Sequence, residues 1–131
     1  MVTGLYLIMA CGLIIWLSLK VIGFRHEYRV SIGHGDHPAL QNAISAQHNA
    51  IEYLPIGLLM LLVLELAGMP WWCLHPPGIA LLLGRVIHAR AMLNDDLKMR
   101  VRGMQVTIYT LIALMLLNVL ALPYVRPLMP F

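Results

Sequence analysis

Few residues in this sequence are able to do chemistry, and they gather where an apolar chain should have none. Ser45, His48, Asn49 and Glu52 interrupt a hydrophobic stretch at spacings i, i+3, i+4 and i+7. On a helix, that spacing puts all four on one face. Gln47 points about 160° away from Asn49, toward a different neighbour. Arg85 and His88 stand i, i+3 in a later apolar stretch, and Arg25 and Arg102 lie at the ends of two more. Arginine holds carboxylates through its planar fork, while Asn and Glu suit amide and amine groups. Together these residues predict a cavity for a small anionic, peptide-like ligand. The competing reading is that Asn49 and Glu52 only join helices by hydrogen bonds. An unpaired charge in lipid costs at least ~2.5 kcal/mol, which favours function.

Metal binding is a further alternative. His34, Asp36 and His37 cluster in one loop, and His48 with Glu52 forms an i, i+4 pair. Neither has a third ligand at a persuasive spacing, so no metal is expected. The sequence contains no GxSxG, P-loop, glycine-rich dinucleotide turn or CxxC.

The elements that must position these residues follow from composition. The 131 residues are 60% hydrophobic and 11% charged, about half the charge of a soluble domain. So little charge cannot cover a soluble surface, and the solvent must be largely lipid. A bilayer core about 30 Å thick takes roughly 20 apolar residues per helix. Four apolar runs predict spans at about 2–24, 38–67, 71–93 and 101–123. The runs are continuous rather than alternating, which excludes barrel strands. The fold class is therefore all-α, an integral membrane four-helix antiparallel bundle in one domain. Pro76 and Pro77 predict either a late start or a kink in the third span. Trp71 and Trp72 suit an interfacial belt. Pro38 suits the first turn of the second helix.

Eight of the nine basic residues fall in two loops on one side: Lys20, Arg25 and Arg29 in one, and Arg85, Arg90, Lys98, Arg100 and Arg102 in the other. Arg126 alone falls opposite. The positive-inside rule puts both basic loops in the cytoplasm. The net charge of +3 is thus explained by orientation and does not argue for nucleic acid. Cys11 and Cys73, both inside apolar runs, read as buried small residues. The first span reads as an uncleaved anchor.

The run AQHNAIEYLP (Ala46 to Pro55), preceded by KVIGFRHEYRVS (Lys20 to Ser31), resembles the MAPEG family, the membrane-associated proteins in eicosanoid and glutathione metabolism. LLLGRVIHARAML (Leu81 to Leu93) is similar to its prostaglandin E synthase branch, and the whole is most like small bacterial members. The resemblance implies a homotrimer in a bacterial inner membrane, with glutathione bound between subunits and a lipophilic second substrate. It assigns Arg25 to a glutathione carboxylate and Gln47 to a contact across the interface. Asn49, Glu52 and Tyr53 match second-helix contacts to the tripeptide, beside His48. Arg85 and His88 match third-helix residues, His88 at a ligand-contacting position. Arg102 matches the catalytic arginine that stabilises the thiolate, with Arg100 two residues away. Three positions depart from the pattern: Ser45 for an arginine, Met92 for a tyrosine and Gly103 for a serine. An eicosanoid substrate is not supported. The resemblance implies a glutathione transferase or peroxidase. Its rival is a non-catalytic lipid-binding or scaffolding protein, since the family includes one that presents fatty acid to a partner. A channel fits less well, because the polar residues cluster at one end of the bundle.

Overall fold

The computed structural model describes residues 1–125; Arg126, the basic residue expected opposite the others, lies outside them. The described residues form four helices, α1 (Val2–Tyr28), α2 (Pro38–Leu66), α3 (Trp71–Leu93) and α4 (Leu97–Val125), joined by short connections. Three of them, α1, α2 and α4, are long and apolar enough to cross a membrane. The assembly is an all-α membrane bundle.

Helix ends follow local chemistry. The α1 helix closes at Arg29 in the left-handed region (φ 55°), and the Val30 N–H returns to the Arg25 carbonyl at 3.0 Å, a C-terminal motif that satisfies orphan carbonyls. Pro38 opens α2 with His37 as N-cap, where a missing N–H costs nothing. The expectation for α3 was a late start or a kink. The helix begins at Trp71, ahead of the proline pair, and continues through Pro76 and Pro77. The α4 helix starts earlier than the apolar run, because the Asp96 carboxylate accepts the Met99 N–H at 3.1 Å. That is an ordinary N-cap.

Successive helices run antiparallel. Glu65 near the end of α2 accepts the N–H groups of Val2 (2.5 Å) and Thr3 (2.8 Å), while Gln47 near its start reaches Ser18 in α1. Tyr6 meets His75 at the start of α3, Oη to Nδ1 2.6 Å. The end of α3 lies against the start of α4: a Cβ on Gly103 would stand 2.6 Å from the His88 nitrogen. Glycine is required there because the two backbones touch, a common device where helices pack in lipid.

The core is mostly leucine, with Leu17, Leu54, Leu61, Leu81 and Leu114 almost wholly buried. The α3 helix packs against all three others, whereas α1 and α4 do not touch. This explains how α3 carries arginine and histidine: its polar side chains meet protein rather than lipid. Large apolar side chains such as Ile8 and Leu120 face outward, as lipid requires. One expectation is corrected. Cys11 is exposed on the outer face of α1 rather than buried, in an apolar hollow of about 380 Å³ with Leu7, Ile14, Leu54, Pro55 and Leu59. A polar residue at i, i+3 or i+4 would have marked an inward face; Cys11 had no such neighbour.

Candidate functional site

Arg85 sits at the centre of the polar end of the bundle, and its side chain is 1% exposed. Its Nε donates to Thr107 Oγ1 at 2.9 Å and one terminal nitrogen donates to Asn49 Oδ1. The other terminal nitrogen points at Met104 Sδ, 3.5 Å away, and the guanidinium lies 5.1 Å from the Tyr53 ring centre. Thr107 passes the chain on by donating to the Gly103 carbonyl at 3.0 Å. These contacts tie α2, α3 and α4 together at one level.

The expected open cavity around Arg85 and His88 is therefore corrected. Both are buried between helices, His88 at 5% exposure where α4 crosses at Gly103. The reason is proximity: Gly84 and Gly103 let the backbones of α3 and α4 close on each other, and both side chains are enclosed. Asn49 and Tyr53 are half-buried with it. A guanidinium only donates, so Asn49 must turn its carbonyl oxygen to Arg85 and its NH₂ elsewhere.

His48 and Glu52, in contrast, are exposed on the outside of α2, midway along the helix. Among the described residues, no cation lies within ion-pair distance of Glu52; the single ion pair is Met1 with Glu65, 3.9 Å. The expected polar face thus divides into Asn49 facing inward and His48 with Glu52 facing outward. Gln47 donates to Ser18 Oγ of its own chain at 2.7 Å. Arg25, half-buried, donates to the Ser31 carbonyl at 3.1 Å.

At the start of α4, Arg100 and Arg102 separate. Arg100 is half-buried and leans over Met92 Sδ at 3.4 Å; Arg102 is exposed, with a terminal nitrogen 3.8 Å from Met99 Sδ. Two departures from the family pattern acquire a structural reason here. Gly103 has no room for a serine side chain, and Met92 is buried as the rest for Arg100. In the first loop, His34 Nδ1 accepts the Asp36 N–H at 3.2 Å and His37 stacks on Tyr28 at 4.1 Å. Those histidines hold the turn.

Two residues that sequence reasoning missed are Thr107 and Glu65. Thr107 lies i+4 from Gly103 and reads as an ordinary small residue in an apolar run. Glu65, near the far end of α2, was the signal overlooked: a second carboxylate inside an apolar helix needs a partner, and it caps α1.

The pattern of the MAPEG family matches residues 3–120. The chain is 35% identical over 124 residues to inner membrane protein YecN of Escherichia coli strain K12, covering 95% of each chain. The same identity and coverage hold for inner membrane protein YecN of Escherichia coli O6:H1. A match across nearly the whole bundle, from α1 well into α4, assigns the chain: it belongs to the MAPEG family.

Proposed function

We propose that this chain is an inner-membrane glutathione-binding protein that works as a glutathione transferase or peroxidase on lipophilic electrophiles or hydroperoxides. The observation that carries this reading is Glu52. It is an exposed carboxylate midway along an apolar helix, without a cation in ion-pair distance among the described residues, one turn from an Asn49 whose NH₂ faces away from Arg85. A carboxylate at that depth calls for a cationic partner, and the ammonium of a tripeptide supplies one.

The donor set fits such a ligand. Glu52 suits the ammonium, the Asn49 amide a peptide carbonyl, and the guanidinium of Arg25 a carboxylate. Arg85, lying over the Tyr53 ring, holds Asn49 in orientation. His48 and Gln47 border the same stretch of α2. Glutathione, when bound, supplies a thiol nucleophile. Arg102, exposed at the start of α4, favours its thiolate form; Arg100, two residues away and held on Met92, is the second candidate. The outward placement of His48, Glu52 and Arg102 supports a site completed by further copies of the chain in a homotrimer.

A guanidinium beside a thiol lowers its pKa by about 1–3 units. Arg102→Ala should therefore cut thiolate-dependent conjugation by about tenfold or more while glutathione still binds. The measurement is glutathione titration of detergent-purified protein by calorimetry, with an ultraviolet difference spectrum for thiolate. No binding heat for the unaltered protein overturns the reading; full activity in Arg102→Ala with loss in Arg100→Ala moves the role to Arg100.

A second reading, non-catalytic lipid binding, is favoured by one feature, the apolar hollow between α1 and α2 around Cys11. Binding of a fatty acid without any glutathione binding supports that reading.

A further inference from the structure

One flank of α1 carries its charges in a graded order. Trp16, Lys20, Gly23 and Glu27 recur at i, i+4, i+7 and i+11, which places them within about 60° of one another on the helix. They line a hollow of about 430 Å³, bounded on its two sides by Leu19 and Phe24. Gly23 makes the floor: a Cβ there would meet nothing within 4 Å, so the notch opens outward. Phe24 is a fixed wall, because it stacks on Tyr28, which in turn stacks on His37 ahead of α2.

The hollow lies where hydrocarbon meets headgroups. The uncharged run Val2 to Leu19 holds 18 residues. At about 1.5 Å of rise each, it nearly matches a hydrocarbon core about 30 Å thick. Lys20, the first charge after it, therefore stands at the edge of the hydrocarbon, and its long stem carries the ammonium to the phosphate level. Glu27 stands about 10.5 Å farther out, and Trp16 about 6 Å deeper, beside acyl chains. Among the described residues, neither Lys20 nor Glu27 makes an ion pair. From the membrane outward, the flank thus presents an indole, an ammonium and a carboxylate.

We propose that this hollow binds a phospholipid with a primary-amine headgroup, phosphatidylethanolamine, its phosphate on Lys20, its ammonium on Glu27 and an acyl chain along Trp16. Such a lipid carries its parts in the same order: chains deepest, then phosphate, then ammonium. A headgroup that ends in glycerol gives the Glu27 carboxylate no cation, and a trimethylammonium gives it no N–H to accept. Gly23 leaves room between the two contacts for the carbons that link phosphate to amine. The site uses none of the residues of the glutathione reading, so either can fail alone.

The chain has three tryptophans, so Trp71→Phe with Trp72→Phe leaves Trp16 as the single reporter. In phosphatidylcholine vesicles, this protein is titrated with phosphatidylethanolamine, phosphatidylcholine or phosphatidylglycerol brominated in the acyl chain, which quenches on contact. Half-quenching should need about threefold less phosphatidylethanolamine than phosphatidylcholine, the worth of one exposed ion pair. Glu27→Gln should erase that preference, and Glu27→Lys should transfer it to phosphatidylglycerol. Gly23→Leu should also erase it with an unchanged thermal midpoint, since the added side chain fills the notch and not the bundle. Asp95→Asn, which removes an exposed carboxylate at the same end of the bundle, should keep it; asparagine suits the left-handed conformation at 95. Equal half-quenching by phosphatidylethanolamine and phosphatidylcholine overturns the proposal, as does phosphatidylglycerol ahead of both, which would mean plain attraction to basic residues. Loss of the preference in Asp95→Asn would mean diffuse surface charge and overturns it too. So does quenching by none of the three lipids, since the flank would then be covered by another copy of the chain.

Discussion

Arg85 carries its charge into a bundle that offers it no carboxylate: its contacts among the described residues are an amide oxygen, a hydroxyl, a thioether and a ring face. Removing a partner leaves a buried charge under-satisfied, and hydrogen bonds to charged groups are worth about 1.5–3 kcal/mol. Asn49→Ala should lower stability by about that amount, read as the thermal midpoint in a fixed detergent. Arg85→Lys should be comparably costly, since an ammonium cannot reach Thr107 and Asn49 with one fixed fork. An unchanged midpoint in both variants would show that the cluster does not hold the helices. Glu52→Gln is the contrast. The side chain is exposed and has no ion-pair partner among the described residues, so stability should hold while ligand binding falls.

At the scale of elements, glycines distinguish packed faces from open ones. Gly103 touches the backbone of α3, and overpacking costs about 1–3 kcal/mol, so Gly103→Ala should destabilise the bundle by that order. Gly12 has nothing within 4 Å of a built Cβ; Gly12→Ala should be neutral or stabilise by about 0.4–1 kcal/mol. The opposite signs are checked in one unfolding series, and equal effects would contradict the α3–α4 contact. At the far end, Glu65→Ala should free the first N–H groups of α1 and speed hydrogen exchange at Val2 and Thr3, with little change elsewhere in α1.

These elements were legible in the sequence because lipid imposes long apolar runs, and Pro38 and the charge-bearing connections marked their ends. The early start of α4 was not, since its signal is one carboxylate, Asp96, rather than hydropathy. The site was legible by residue type but not by direction. Spacing puts Ser45, His48, Asn49 and Glu52 on one broad face, yet that face straddles the edge of the α2–α3 contact. Asn49 therefore turns in to Arg85 while Glu52 turns out. Which way a border residue points depends on how closely the facing helix approaches, and on α2 that close approach is at Gly57, where a built Cβ would stand 2.6 Å from Leu81 of α3.

At the scale of the whole molecule, two polar stripes lie on outer surfaces among apolar neighbours. One is His48 with Glu52 on α2; the other is Arg102, Gln105 and Tyr109 on α4, Tyr109 being 67% exposed. Polar groups facing hydrocarbon are costly, so association that covers them is favoured. The homotrimer proposed above should appear as a three-chain mass by light scattering in mild detergent, after subtraction of bound detergent. A one-chain mass that persists at high protein concentration would count against it.

The clamp at Asn49, Arg85 and Thr107 also has a consequence for descent. Its members come from three different helices, yet none can be exchanged alone without leaving a charge or an amide stranded away from water. Lineages should therefore keep the three together or replace them in concert, so that positions 49, 85 and 107 vary as a set while the outward-facing 48 and 52 drift or persist by a separate rule.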